Sequence, residues 1–128
     1  MEAITPTRRW SGRILSGIVV LFLFADAAGK LLQVGPVMEG TVILGYPDSV
    51  VFPIGVLLML GVILYAIPRT SLLGAIYLTG FLGGACATHI RIGSPLFTHV
   101  LFSAYVALFM WGGLALRNPP LTLLLIGR

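Results

Sequence analysis

Asp26, Lys30, His89, Arg91 and His99 are the residues of this chain whose types and placement could do chemistry together. Asp26 and Lys30 stand four apart, so on a helix they share a face and can pair across one turn. A carboxylate and an amine so placed can hold the polar group of a ligand or relay a proton. His89 and His99 flank the short stretch 90–98, which makes their helix ends neighbours. Neutral imidazole both donates and accepts hydrogen bonds, which suits a polar-headed ligand or proton transfer. Arg91 would suit an anionic or carbonyl oxygen.

Each of these residues also has a plain structural reading. Asp26 and Lys30 can form a self-satisfied ion pair whose lysine snorkels and fixes the depth of its helix. The histidines can hydrogen-bond backbone or lipid headgroups, and Arg91 can anchor at the interface. A zinc site would need ligands beyond two histidines, although Asp26, Glu39 or Asp48 could each add a carboxylate. A bis-histidine haem needs both imidazoles deep between helices, whereas these lie near helix ends. The sequence therefore argues against haem or metal, and it assigns no metal ligand and no catalytic residue.

The elements that must position these groups are apolar. Of 128 residues, 58% are hydrophobic and 9% charged, and the mean hydropathy is +1.04. A soluble domain is about 45–50% apolar and about 25% charged. A chain this short cannot bury the surplus in its own core, so the bilayer must take it up. The basic residues are scattered between apolar runs, which excludes a nucleic-acid surface. The single cysteine, Cys86, excludes an internal disulfide and reads as a small packing residue.

A membrane helix needs about 20 largely apolar residues. Four stretches qualify, at about 14–32, 50–67, 71–90 and 96–116. They form one domain over 1–128, predicted to be an all-α, antiparallel four-helix transmembrane bundle. Pro36, Gly45, Pro47, Pro68, Gly93, Pro95, Pro119 and Pro120 separate or close the spans. Between the first two spans, Pro36 and the spacing of Val37, Met38, Val42, Ile43 and Leu44 predict a short amphipathic helix lying on the interface. The tail 121–126 is too short to span and is expected along the interface.

Arg8, Arg9, Arg13, Arg69, Arg117 and Arg128 fall on one side of such a bundle, against Lys30 and Arg91 on the other. That asymmetry places both termini in the cytoplasm. Ala25-Asp26-Ala27 also has the form of a signal cleavage site, but the apolar helical pattern continues through Leu31 and Leu32, and the first span is read as retained. Asp26 lies about a dozen residues beyond Ile14, roughly 18 Å along the helix. That is still within a hydrocarbon layer about 30 Å thick. A carboxylate there costs on the order of 2.5–3.5 kcal/mol to insert, so it must face the bundle and find a partner.

Small residues let membrane helices approach. Gly80, Gly84 and Thr88, with Gly83 and Ala87 beside them, form a smooth stripe that predicts close packing and makes the third span the centre of the bundle. Gly55, Gly61, Gly112 and Gly113 are further expected contact points. Trp10 and Tyr46 are placed for interfacial belts, and Tyr77, Phe81, Tyr105 and Phe109 read as packing residues.

The run Thr79-Gly80-Phe81-Leu82-Gly83-Gly84-Ala85-Cys86-Ala87-Thr88-His89-Ile90-Arg91, followed by Pro95-Leu96-Phe97-Thr98-His99-Val100, resembles the signature of the DoxX-like membrane proteins. Asp26-Ala27-Ala28-Gly29-Lys30-Leu31, Leu44-Gly45-Tyr46-Pro47 and Ile67-Pro68-Arg69-Thr70 resemble further blocks of that family, and the likeness covers roughly residues 11–117. Cys86 stands where an aliphatic residue is expected, and Ser94 where Asp or Asn is common, which speaks against a cation site at that turn. The resemblance implies a four-span protein of the bacterial inner membrane. The family takes its name from a subunit of a thiosulfate:quinone oxidoreductase, so the resemblance also implies a quinone or another lipophilic redox partner, bound on the outer side beside an oxidoreductase subunit. The chain has no dinucleotide fingerprint and no cysteine cluster, so electrons would come from such a partner. A non-enzymatic binder, transporter element or assembly scaffold is the alternative, and the sequence leaves a homo-oligomer open.

Overall fold

The computed structural model describes residues 5–127. Helix α1 (Pro6–Leu31) is followed by the short α2 (Gly35–Ile43), α3 (Val51–Ala66), α4 (Ser71–Arg91), α5 (Phe102–Arg117) and the short α6 (Pro119–Ile126). Tight 3₁₀ turns at Asp48–Val50 and Pro68–Thr70 lead into α3 and α4, and a wide π turn at Leu96–Val100 leads into α5. Four helical stretches, Pro6–Leu31, Asp48–Ala66, Pro68–Arg91 and Leu96–Arg117, are long and apolar enough to cross a membrane.

The first span starts eight residues before the expected boundary at 14, because Thr5 caps it and Pro6 opens it. The Thr5 hydroxyl accepts from the Arg8 backbone N–H at 3.1 Å, and arginines tolerate helix well, so the helix continues beyond its apolar stretch. The tail is also helical. Asn118 caps α6 by accepting from the Leu121 N–H at 3.3 Å. Arg8 ties these ends together, donating from Nε to the Leu116 carbonyl at 3.0 Å and from Nη2 to the Thr122 hydroxyl at 2.8 Å. Arg128, counted above among the basic residues, lies outside the described residues.

The helices run up and down in a ring. α1 packs most extensively, on α5 and on α3, and α4 closes the ring by packing on the same two helices. No span sits at the centre of this ring, and the helix with the most extensive packing is α1, not the third span. We call the end that carries Arg8, Arg13, Arg69 and Arg117 proximal, and the opposite end distal. Outward-facing Leu21, Leu73, Leu108 and Leu124 are 58–80% exposed, a shell that only a hydrocarbon solvent would stabilise.

Two devices hold the proximal half. The first is backbone contact between α1 and α5, where a Cβ on Gly113 would lie 2.5 Å from the Ser16 hydroxyl and 2.8 Å from the Ser16 backbone nitrogen. A Cβ on Gly12 would lie 2.8 Å from the Gly113 carbonyl oxygen. The second is Tyr65, which is 1% exposed. Its hydroxyl donates to the Met110 carbonyl at 2.6 Å, so the Ser16 hydroxyl, 2.8 Å away, is the donor to Tyr65. One phenol thereby joins α3, α5 and α1. Ser71 completes the α3–α4 hairpin by donating to the Tyr65 carbonyl at 2.6 Å.

Gly55 and Gly61 also meet neighbouring helices, as expected, and Gly112 has only a distant contact with Leu15. The stripe on α4 does not pack. A Cβ on Gly80, Gly83 or Gly84 would meet nothing within 4 Å. The expectation that these glycines seat a neighbouring helix is overturned, because α1 lies diagonally across the ring from α4 and does not reach them. The resulting contrast is testable by thermal unfolding in detergent. Gly113→Ala should destabilise by about 1–3 kcal/mol through forced displacement of the Ser16 backbone. Gly80→Ala should be neutral or stabilise by up to about 1 kcal/mol through helix propensity.

Candidate functional site

At the distal end, between α1, α4 and α5, the ring encloses a cavity of about 480 Å³, within the range of small-molecule sites. α1 supplies Phe22, Leu23, Asp26 and Lys30, which fall at helical spacing along one face. α4 supplies Gly80, Phe81, Gly84, Thr88 and His89, and α5 supplies Phe102, Ser103 and Val106. The missing side chains of Gly80 and Gly84 are part of the space. The stripe read as a packing surface is instead a cavity wall.

Lys30 Nζ donates to Asp26 Oδ1 at 2.5 Å, and this is the only ion pair among the described residues. The lysine side chain is 13% exposed and the carboxylate 36%. The lysine stem passes close to α3, where a Cβ on Gly55 would lie 2.8 Å from Lys30 Cβ. The ammonium turns back one helical turn to Asp26. Both groups line the cavity, so the pair presents a donor and an acceptor to whatever occupies it.

Opposite, His89 Nδ1 and the Ser94 hydroxyl are hydrogen-bonded at 3.0 Å. This occupies one ring nitrogen and leaves Nε2 for a ligand. The His99 ring stands edge-on to His89 with centroids 5.7 Å apart, and its Nδ1 is 2.8 Å from the Thr98 hydroxyl. His99 is exposed and does not line the cavity. Arg91 does not line it either, because Nη2 donates to the Leu44 carbonyl at 2.6 Å. Of the five polar residues singled out in the sequence, Asp26, Lys30 and His89 come together on the cavity. His99 stands behind His89, and Arg91 acts as a tie. Among the described residues no group of three or more His, Cys, Asp or Glu side chains is placed to hold a metal ion.

The end of α2 and the turn after it close the cavity. Thr41 and Leu44 line it. Thr41 is 5% exposed while Ile43 is 73% exposed. A helix was expected here and is present, but it is not amphipathic. Its apolar residues lie all round it: Val37 packs on α1 at Gly29, while Thr41 makes the contact with the partly polar cavity. Tyr46, expected in an interfacial belt, turns inward. The Thr88 hydroxyl donates back to the Gly84 carbonyl at 2.8 Å, so the Tyr46 hydroxyl is the donor in the 2.9 Å bond between the two. Trp10, by contrast, is 59% exposed, with the Arg13 guanidinium 5.2 Å above its ring. Tyr46, Thr41, Thr88, Phe22, Phe102 and Ser103 were not legible as site residues. One signal was present, the glycine and proline on either side of Tyr46, which force a turn that can swing its ring inward.

A helical bundle with an apolar shell and a distal cavity lined by an ion pair, an imidazole and aromatic rings defines a multi-pass membrane protein with a small-molecule-sized interior site. The DoxX-like family profile matches residues 14–113, and the chain belongs to that family. No curated protein and no solved structure matches it.

Gly45 is the point on which the cover depends. Its φ is +96°, and a Cβ there would lie 2.7 Å from Arg91 Nη2. Gly45→Ala should therefore cost about 1–2 kcal/mol for the left-handed backbone alone and loosen the Arg91 tie. The expected result is faster hydrogen–deuterium exchange over residues 35–46, with the proximal ends of α1 and α5 unchanged. Equal protection of 35–46 in the variant and the parent would contradict this role.

Proposed function

We propose that this chain is an accessory subunit of a membrane oxidoreductase system that holds a quinone-type ring in the distal cavity. The observation that carries this reading is the composition of the cavity walls. Phe22, Leu23, Phe81, Phe102 and Val106 make an apolar body. Asp26, Lys30 and His89 place charged and neutral hydrogen-bonding groups around it. A flat ring with carbonyl oxygens needs this combination, with donors at its edges and apolar contact over its faces. Lys30 and His89 Nε2–H can donate to carbonyl oxygens, and Asp26 can accept from the hydroxyl of a reduced ring. The sequence contains no dinucleotide fingerprint, so the electrons belong to a partner subunit.

One observation favours a second reading. The Asp26–Lys30 pair is satisfied within itself, as a structural ion pair would be, which fits a non-enzymatic binder or an assembly scaffold equally well.

Native mass spectrometry of protein released gently from its own membranes separates the two. A retained mass of the quinone class is expected in the parent and lost in both Asp26→Asn and His89→Ala, with helicity by circular dichroism unchanged. If Asp26→Asn lowers the unfolding temperature and keeps the ligand, the pair is structural.

Arg8, Arg9, Arg13, Arg69 and Arg117 at the proximal end, against Lys30 and Arg91 at the distal end, support a cytoplasmic placement of both termini. The membrane would be the bacterial cytoplasmic membrane, with the cavity on its outer side. In a Cys86→Ala background, Gln33→Cys should react with an impermeant maleimide on intact cells and Ser11→Cys should not. The reverse pattern would invert the topology.

A further inference from the structure

Beside the polar cavity lies a second space of about 220 Å³ on the seam between α1 and α5, and the two share Phe22, Phe102 and Val106 in their linings. The rest of the second space is Ile18, Val19, Tyr105 and Phe109. Its character differs completely from that of the first. Tyr105, the one lining residue with a polar atom in its side chain, has its hydroxyl engaged with the Phe97 carbonyl at 3.1 Å. The seam is therefore wholly apolar.

Phe22 and Phe102 stand between the two spaces, with ring centroids 5.3 Å apart and planes inclined at 60°. They are 46% and 43% exposed, so neither ring is locked into the core. Phe102 and Ser103 follow the π turn at Leu96–Val100, in which the Val100 N–H reaches the Pro95 carbonyl at 3.1 Å and the Leu101 N–H the Leu96 carbonyl at 2.9 Å. A wide turn of this kind rotates the helix after it, and such turns concentrate at functional sites. Here it sets Phe102 and Ser103 together on the cavity rim.

We infer that the seam is the tail subsite of the same ligand, and that Phe22 and Phe102 form the passage between its head and its tail. This rests on the reading proposed above and adds to it: the ligand is an amphipath with a polar ring and a hydrocarbon chain, and the chain leaves sideways between α1 and α5. The occupant follows from adjacency: Phe22, Phe102 and Val106 wall both spaces, the two touching rings partition them, and a chain attached to a ring in the first reaches the second when those rings turn aside. From Phe22 to Ile18 is about 6 Å along α1, and from Phe102 to Phe109 about 10 Å along α5. The seam therefore leads the chain from the distal end toward the middle of the bundle. Ile18 and Phe109 are 49% and 46% exposed, so the seam opens to the surrounding lipid along its length.

Lipid is as apolar as the seam, so the seam adds little affinity and mainly gives direction. The test must therefore read where the tail lies. The probe is a decyl-substituted benzoquinone with a diazirine in its chain, photolysed on the wild-type protein in lipid nanodiscs, with a tail-less benzoquinone as its companion. Labelling is expected on α1 between residues 14 and 22 and on α5 between 102 and 109. Ile18→Trp, a filling change at a half-exposed position, should reduce that labelling to background while retention of the tail-less ring is unchanged. Labels spread evenly over α3 and α4 as well, or unaltered by Ile18→Trp, would overturn the tail subsite and leave the cavity reading standing. Failure of the wild type to retain even the tail-less ring would overturn both.

Discussion

The bundle depends on one constraint, the backbone contact between α1 and α5 around Gly12, Ser16 and Gly113. Apolar helices gain almost nothing from one another in lipid except through close packing and hydrogen bonds. Gly113 supplies the packing, since a Cβ there would lie 2.8 Å from the Ser16 nitrogen. Ser16 and Tyr65 supply the hydrogen bonds, through the 2.8 Å and 2.6 Å links that reach α3 and Met110 on α5. With α1 held this way at the proximal end, the same pair of helices is bridged toward the distal end by the touching Phe22 and Phe102 rings. The contact passes from backbone to bulky side chains within one pair of helices. The cavity lies on the side where the contact is made by bulk.

That arrangement lets an ionisable pair exist at this depth. Asp26 and Lys30 would each be expensive alone in hydrocarbon. They meet at 2.5 Å, and Gly55 leaves the lysine stem room beside α3. The polar groups of α2, α4 and the Tyr46 turn line the same volume, so the carboxylate has a partly polar cavity beside it.

The large-scale fold was legible because the bilayer sets it. Runs of about 20 apolar residues interrupted by Pro and Gly have few alternatives in a membrane. All four spans and the short helix after the first are present in the structure. What hydropathy could not supply was the extension of α1 to Pro6, since backbone hydrogen bonds continue where apolar side chains stop. The α4 stripe failed for a different reason. A four-residue spacing of glycines shows which positions share a face, but not whether another helix lies against it. The same spacing serves a helix contact and an empty wall, and only the diagonal placement of α1 and α4 decides between them. Asp26, Lys30 and His89 were legible as candidates for a polar site because polar side chains in an apolar run are conspicuous, and all three line the cavity. Tyr46 and Thr88 were not, because their pairing spans 42 positions of chain and neither is unusual where it stands.

The cover formed by α2 and its following turn is held over the cavity by few bonds. It is fastened just after α2 by Arg91 on the Leu44 carbonyl at 2.6 Å and, two residues further on, by Tyr46 on Thr88 at 2.9 Å. A neutral hydrogen bond adds about 1 kcal/mol net, and one from a charged group about 1.5–3 kcal/mol. Together they amount to about 2.5–4 kcal/mol, which corresponds to an undocked population of about 0.1–1%. The cover thus rests on two side chains, one arginine and one tyrosine, neither of which hydrogen-bonds Asp26 or Lys30.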